Sequence, residues 1–148
     1  MEVWELAARE EIRTLLATYA HGVDRGRFRE VAELFVPDGI LELGNRAAAS
    51  GRDAIRAFLG DVDAPERDTP SLAYIRHHVS SIVIELHSRT SARAESYFFV
   101  LTDRGPDHWG RYRDDLVSQD GVWRFARRRA RTDGAAPGSW AYRRGRPG

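Results

Sequence analysis

Two adjacent histidines, His77 and His78, open the run Arg76-His77-His78-Val79-Ser80-Ser81-Ile82-Val83-Ile84-Glu85-Leu86, and these are the residues best suited to chemistry. An imidazole titrates near neutrality, so a histidine beside a carboxylate can serve as a general base at working pH. The β-branched residues that follow predict a strand, in which neighbouring side chains point to opposite faces. Only one of the two imidazoles then enters an interior. Taken alone, either is more simply a strand-end histidine bonded to backbone or solvent.

The other candidates have plain structural readings too. Asp24 suits a turn or helix cap. Tyr19 falls on the apolar stripe of the first helix, so it packs in a core, although a buried hydroxyl would need a partner. His21 stands two residues from Tyr19 and so off its face. His87 and His108 fall in predicted turns and are expected in solvent. No three or four ligands converge at metal-binding spacing, and no cysteine exists to supply thiolates, so neither a metal nor a cofactor is expected. The run Arg127-Arg128-Arg129 with Arg131 invites a nucleic-acid reading. Alternation sends those arginines to both faces, however, with Arg127 and Arg129 placed beside Trp123 and Phe125. The net charge is only +1. A salt-bridged outer face is the better expectation, with Arg129 or Arg131 as an anion contact, and no nucleic-acid partner.

The 148 residues predict one domain with a real core, 42% apolar and 30% charged. All 23 basic residues are arginine, which excludes lysine Schiff-base chemistry. No apolar run approaches the ~20 residues of a membrane span, and the first residues lack a signal-peptide pattern, so a cytoplasmic protein with no membrane partner is expected.

The elements that must position these residues follow from periodicity. A helix is predicted from Trp4 to about Gly22, and a second from about Arg27 to Phe35. Pro37-Asp38-Gly39 reads as a turn and Ile40–Leu43 as a short strand. A third helix opens at Ser50, its expected N-cap, and carries Ile55, Phe58 and Leu59. Gly60 to Pro70 reads as a loop. Four strands follow: the histidine strand, Ala92–Leu101, Trp109–Ser118 and Val122–Arg131, with Asp120-Gly121 as a hairpin signal. Residues 1–133 make the domain, and 134–148 an Arg/Gly/Pro-rich flexible tail or lid. Helices segregated to one side of an antiparallel sheet give an α+β fold, and a strongly curved sheet would leave a cone-shaped cavity.

Several short motifs carry a resemblance: Tyr19 to Phe28, Leu34-Phe35-Val36-Pro37-Asp38-Gly39, Gly51 to Ile55, the histidine strand, Tyr112-Arg113-Asp114 and Asp120 to Phe125. Together they resemble the SnoaL-like branch of the nuclear transport factor 2-like superfamily. That resemblance implies a cystatin-like cone: a curved antiparallel sheet packed on three N-terminal helices. Within the branch the chain looks like scytalone dehydratase, hexachlorocyclohexane dehydrochlorinase and bile-acid 7α-dehydratase, which carry an Asp–His pair in the cone. The resemblance assigns that pair to Asp24 and His77, in the register that keeps the strand aligned through Glu85 without a gap. It assigns a contributing tyrosine to Tyr19 and leaves His78 on the opposite face. The chain departs from the pattern at Ser81, where many relatives carry Asn, and at Thr102, near where scytalone dehydratase has a second histidine.

The expected function is therefore a cofactor-independent lyase or isomerase of dehydratase or cyclase type. Its substrate would be a small cyclic molecule, polyketide- or steroid-like, worked on by His–Asp acid–base catalysis. The alternative is a non-catalytic ligand-binding or assembly subunit using the same cone. Substrate contacts are expected from Tyr112, Tyr74, Phe35, Phe58, Phe98 and Trp123, with Leu15 and Val79 as further apolar wall. By resemblance, the chain forms a homodimer or homotrimer through its outer sheet face.

Overall fold

The computed structural model describes residues 1–46, 48–63 and 72–140. In chain order the elements are α1 (Val3–Asp24), α2 (Phe28–Glu33), β1 (Phe35–Leu43), β2 (Ala49–Ser50), α3 (Arg52–Asp63), β3 (Ile75–Leu86), β4 (Ser91–Thr102), β5 (Gly105–Gln119) and β6 (Val122–Ala135). The six strands form one curved, unclosed sheet in the order β2-β1-β6-β5-β4-β3. The three helices pack on it, so the α+β cone expected from the sequence is the fold. No helix among the described residues is long and apolar enough to cross a membrane.

The sheet is mixed rather than antiparallel throughout, because β1 lies parallel to β6. Pro37-Asp38-Gly39 is not a turn before a strand. It is absorbed within β1, whose pairing steps from Phe35↔Phe125 to Ile40↔Arg127, five residues against two. Phe35 is thereby kept in the sheet and fully buried, with its ring centroid 5.0 Å from that of Phe125. Each such burial stabilises the fold by roughly 1.5–3 kcal/mol. Ser50 lies in β2, so the residue before α3 is Gly51, at φ +88°. α3 runs on to Asp63, into the stretch expected to be loop, whose remainder lies outside the described residues.

α1 buries Ala8, Ile12, Leu15, Leu16, Tyr19 and Ala20 against the sheet, one side of a 3.6-residue period. Gly22 does not end this helix, which continues to Asp24. A Cβ on Gly22 would stand 2.5 Å from Val31 Cγ2, so glycine is what lets α2 approach. That contact fixes the end of α1 two residues before Asp24.

β3 is an edge strand, and the backbone groups on its outer side have no neighbouring strand to bond. α1 covers that edge. Arg9 Nη1 donates to the Ile84 carbonyl at 2.6 Å, and the Asp24 carboxylate accepts the His77 backbone N–H at 2.9 and 3.1 Å. Two side chains of one helix thus dock it along the strand that carries His77.

On the outer face most arginines meet carboxylates. Arg129 Nη2 lies 2.9 Å from Asp115, Arg111 pairs with Asp133, Arg113 with Glu95, and Arg127 with Glu42. Val83, Tyr97, Phe99 and Trp109 are exposed there too. His78 is exposed and stacks on Phe99 with centroids 4.5 Å apart.

β6 continues to Ala135, past the boundary expected at residue 133, and the segment after it is tied down. Ala136 N–H donates to the Asp107 carbonyl at 2.8 Å, and Ser139 and Trp140 bond the Asp107 side chain. Residues 141–148, the rest of the expected tail or lid, lie outside the described residues.

Candidate active site

The concave side of the sheet holds a cavity of about 130 Å³. Tyr19, Val23 and Phe28 line it from the first two helices, and Leu59 and Val62 from α3. His77, Phe98, His108, Tyr112 and Thr132 rise from the sheet, and Trp140 from the C-terminal segment. An apolar cavity of roughly this size admits a benzene-sized ring.

His77 and Asp24 meet at its wall. His77 Nδ1 lies 2.5 Å from Asp24 Oδ1, with the two side chains 12% and 9% exposed. The same carboxylate also takes the His77 backbone N–H, so backbone and ring are held by one group. A carboxylate accepts, so Nδ1 carries the proton and Nε2 is left with a lone pair. That is the tautomer a general base requires, and the carboxylate stabilises the imidazolium formed when Nε2 takes a proton.

Tyr19 lines the same cavity, 3% exposed and edge-on to Phe35, Tyr112 and Phe125. Burial pushes its hydroxyl pKa up, the Arg128 charge opposes this, Asp114 adds to it, and a hydrogen bond with Arg128 opposes it; the net is upward. Tyr112 is likewise buried and raised, chiefly by burial with Arg128 opposing. Both tyrosines therefore stay phenolic around neutral pH and can donate a hydrogen bond.

Beneath these rings lies an ion pair that alternation had misplaced. Arg128 and Asp114 are both 0% exposed, joined by Nε–Oδ1 at 3.0 Å and Nη2–Oδ2 at 3.3 Å. The guanidinium lies 3.7 Å from the Tyr112 ring centroid, 4.2 Å from Tyr19 and 4.7 Å from Phe125, which is cation–π geometry. Burial works against the Arg128 charge, but Asp114 and the two tyrosines more than offset it and hold the group above the ordinary arginine range. Alternation placed Arg127 and Arg129 on the Phe125 face, but the structure does not. β6 pairs Phe125 with Leu116 and Arg127 with Asp115, two residues against one. This bulge reverses which residues face inward, so Arg128 enters and its neighbours face out.

His108 is the second correction. It is 7% exposed, inside β5 and on the cavity wall, because the strand begins at Gly105 rather than Trp109. Its Nδ1 lies 2.7 Å from Asp107 Oδ2. Adjacent strand residues ordinarily face opposite ways, but here β5 is bulged as well. Val100 pairs with His108 and Leu101 with Pro106, leaving Asp107 as the extra residue. Both side chains consequently turn inward. A proline within a strand is the one sequence signal of such a bulge, and Pro106 supplies it.

Of the residues expected to contact substrate, Phe98 and Tyr112 line the cavity. Phe35 and Trp123 belong to the packed core, and Phe58 packs against it from α3 under Arg46; none is among the lining residues. Leu15 is likewise core, and Val79 packs beside Phe98 and Tyr112 without lining the cavity. Tyr74 is 40% exposed and lies against the Arg76 guanidinium, away from the lining. His21 and His87 are exposed. Among the described residues, no group of three or more His, Asp or Glu is placed to hold a metal ion.

Residues 4–129 match the SnoaL-like domain. The chain belongs to the SnoaL-like family. Its architecture is shared by solved structures across nearly their whole length. A provisionally named scytalone dehydratase from Novosphingobium aromaticivorans is 28% identical, with a TM-score of 0.79 over 92% of this chain and 91% of that one. A Catenulispora acidiphila protein, solved in complex with S-DNPA, is 30% identical, with a TM-score of 0.74 over 86% and 95%. An NTF2-like protein with a cystatin-like fold from Novosphingobium aromaticivorans is 25% identical, with a TM-score of 0.70 over 92% and 94%. No curated protein sequence matches the chain. This SnoaL-like chain thus keeps the fold of its relatives, and the family together with its scytalone dehydratase-like neighbour supports a lyase-like role.

Proposed function

We propose that the protein is a cofactor-independent lyase or isomerase acting on a small cyclic carbonyl compound. His77 Nε2 removes a proton from the carbon next to the carbonyl. Asp24 holds the ring in the required tautomer and stabilises the imidazolium. Tyr19 donates its hydroxyl hydrogen to the carbonyl oxygen, where negative charge develops, in a cavity whose low polarity strengthens that bond. Loss of water from the adjacent carbon makes the reaction a dehydration; return of the proton elsewhere makes it an isomerisation or cyclisation.

The observation that carries this reading is the 2.5 Å contact between His77 Nδ1 and Asp24 Oδ1 at the wall of an apolar cavity. The test uses a generic ketone, 1-indanone, in deuterated water, with deuterium uptake at the α-carbon followed by mass spectrometry. The wild-type protein should accelerate uptake. His77→Gln should remove about 10²–10⁴ of that acceleration. Asp24→Asn, which misplaces the tautomer, should cost about as much. If both variants exchange as fast as the wild type, His77 is not the base.

A further inference from the structure

The cavity wall carries a second histidine, His108, paired with an aspartate, which the proposed reaction has not used. The side chains of His108 and Asp107 are 9% and 10% exposed, and Nδ1 and Oδ2 stand 2.7 Å apart. Ser139 Oγ donates to Asp107 Oδ2 at 2.7 Å, and the Trp140 backbone N–H donates to Oδ1 at 2.9 Å. Burial alone would raise the Asp107 carboxyl, but the hydrogen bonds from His108, Trp140 and Ser139, with the His108 charge, bring it down to about 2. An ionised Asp107 only accepts, so His108 Nδ1 donates and Nε2 is turned to other partners.

The two histidines share one row of the sheet. His77 pairs with Val100, and Val100 pairs with His108. Residues paired across strands face the same side, and strands lie about 4.8 Å apart, so the two backbones are roughly 10 Å apart with only Val100 between them. Phe98 packs against both imidazoles, at centroid distances of 6.4 Å from His77 and 6.0 Å from His108. A ring resting on Phe98 would have one imidazole at each side.

We propose that His108, oriented by Asp107, is the general acid of this site and serves the departing oxygen while His77 serves the carbon. This rests on His77 being the base. The substrate class it implies is a cyclic carbonyl compound with a hydroxyl on the carbon beta to the carbonyl. In the productive state His77 is neutral and His108 is the imidazolium paired with Asp107. His77 Nε2 takes the α-proton, and the C–H electron pair becomes the new C=C bond. The C–O bond to the hydroxyl breaks, and His108 Nε2–H gives its proton to that oxygen, which leaves as water. The turnover ends with His77 protonated and His108 neutral, and one proton returning through water restores both.

Two benzisoxazoles provide the test, because a base removes their ring C–H proton as the N–O bond breaks, releasing a phenolate. The 5-nitro compound leaves as a weakly basic phenolate that needs no acid; the unsubstituted one leaves as a far more basic oxygen that does. His108→Asn keeps a donor where Nδ1 stood and loses Nε2. His108→Gln places a neutral donor where Nε2 stood. With unsubstituted benzisoxazole, kcat/KM should fall about 10²-fold in His108→Asn and less in His108→Gln, since general acids contribute about 10²–10⁴. With the 5-nitro compound both variants should stay within about threefold of wild type, the leaving oxygen having little need of a proton. Equal losses on both compounds, or none on either, would overturn the assignment of His108 as the acid. A smaller loss in His108→Asn than in His108→Gln would overturn it too, since that is the order of a structural role. His77→Gln is the control for the underlying reading. It should abolish elimination of both compounds, and if it does not, the base is lost along with the acid that depends on it.

Discussion

Asp24 and His77 meet across 53 residues of chain, whereas Asp107 and His108 are neighbours that a bulge turns to one face. The first pair exists only while α1 is docked on the edge of β3. The second is made by local backbone geometry and is completed by the C-terminal segment through Ser139 and Trp140. Both end in the same arrangement: Nδ1 on a carboxylate that also accepts a backbone N–H, with Nε2 turned away from that carboxylate. The same chemical unit can therefore fail in two ways, by movement of a helix or by release of a strap, and variants should separate them.

The largest separation is expected at Gly22. A methyl group there would press on Val31 Cγ2, which is buried, so the end of α1 and Asp24 with it must shift. Gly22→Ala should cost about 1–3 kcal/mol, as overpacking does. It should also slow α-proton exchange, because small misplacements in an active site cost rate steeply. The Asp107–His108 pair, which α1 does not build, should be untouched. Urea unfolding and 1-indanone exchange, measured side by side with histidine imidazole NMR, check this. A displaced His108 signal with an unmoved His77 signal would reverse the comparison.

Asp107→Asn probes the other pair. The folded pKa of about 2 lies below the ordinary aspartate value of about 3.9, so ionised Asp107 favours the folded state. That contribution is fully present above about pH 4 and is lost as pH falls toward 2, where the carboxyl protonates in the folded protein too. The wild type should be roughly 2 kcal/mol more stable than Asp107→Asn at pH 7, and the gap should shrink steadily below pH 4. Denaturant midpoints at several pH values measure it. A gap that stays constant with pH would mean that the strap is held by shape rather than charge.

The same contrast governs what could be seen in the sequence. His77 was legible because strict alternation holds from Ile75 to Val79, and the resemblance then chose its partner. The pairing of β1 with β6 was not legible. It joins segments some ninety residues apart, and Pro37 to Gly39 carry every local mark of a turn. His108 and Arg128 were missed for different physical reasons. β5 begins at Gly105, four residues before the expected start, so a residue read as turn lies inside the strand. Arg128 follows a bulge, and one extra residue exchanges the inward and outward faces of everything beyond it. Trp123, Phe35 and Phe58 were rightly apolar and interior, but residue type alone does not distinguish the floor of a cavity from the core beneath it.

β3 carries a bulge as well, and it differs in kind. Pairing steps from Ser80↔Tyr97 to Val83↔Glu95, and Ser81 takes φ +52°. The burial pattern changes there, from Ile75, His77 and Val79 to Ile82, Ile84 and Leu86. Asparagine tolerates the left-handed region better than serine, which fits the asparagine that the family resemblance implies at this point. Ser81→Asn should raise stability by several tenths of a kcal/mol, since the left-handed conformation costs a non-glycine residue roughly 1 kcal/mol. It should leave α-proton exchange unchanged, because Asp24 holds both the backbone and the ring of His77, upstream of the bulge. A Ser81→Asn variant that is more stable yet slower would mean that the bulge, and not the docked helix, sets the position of the base.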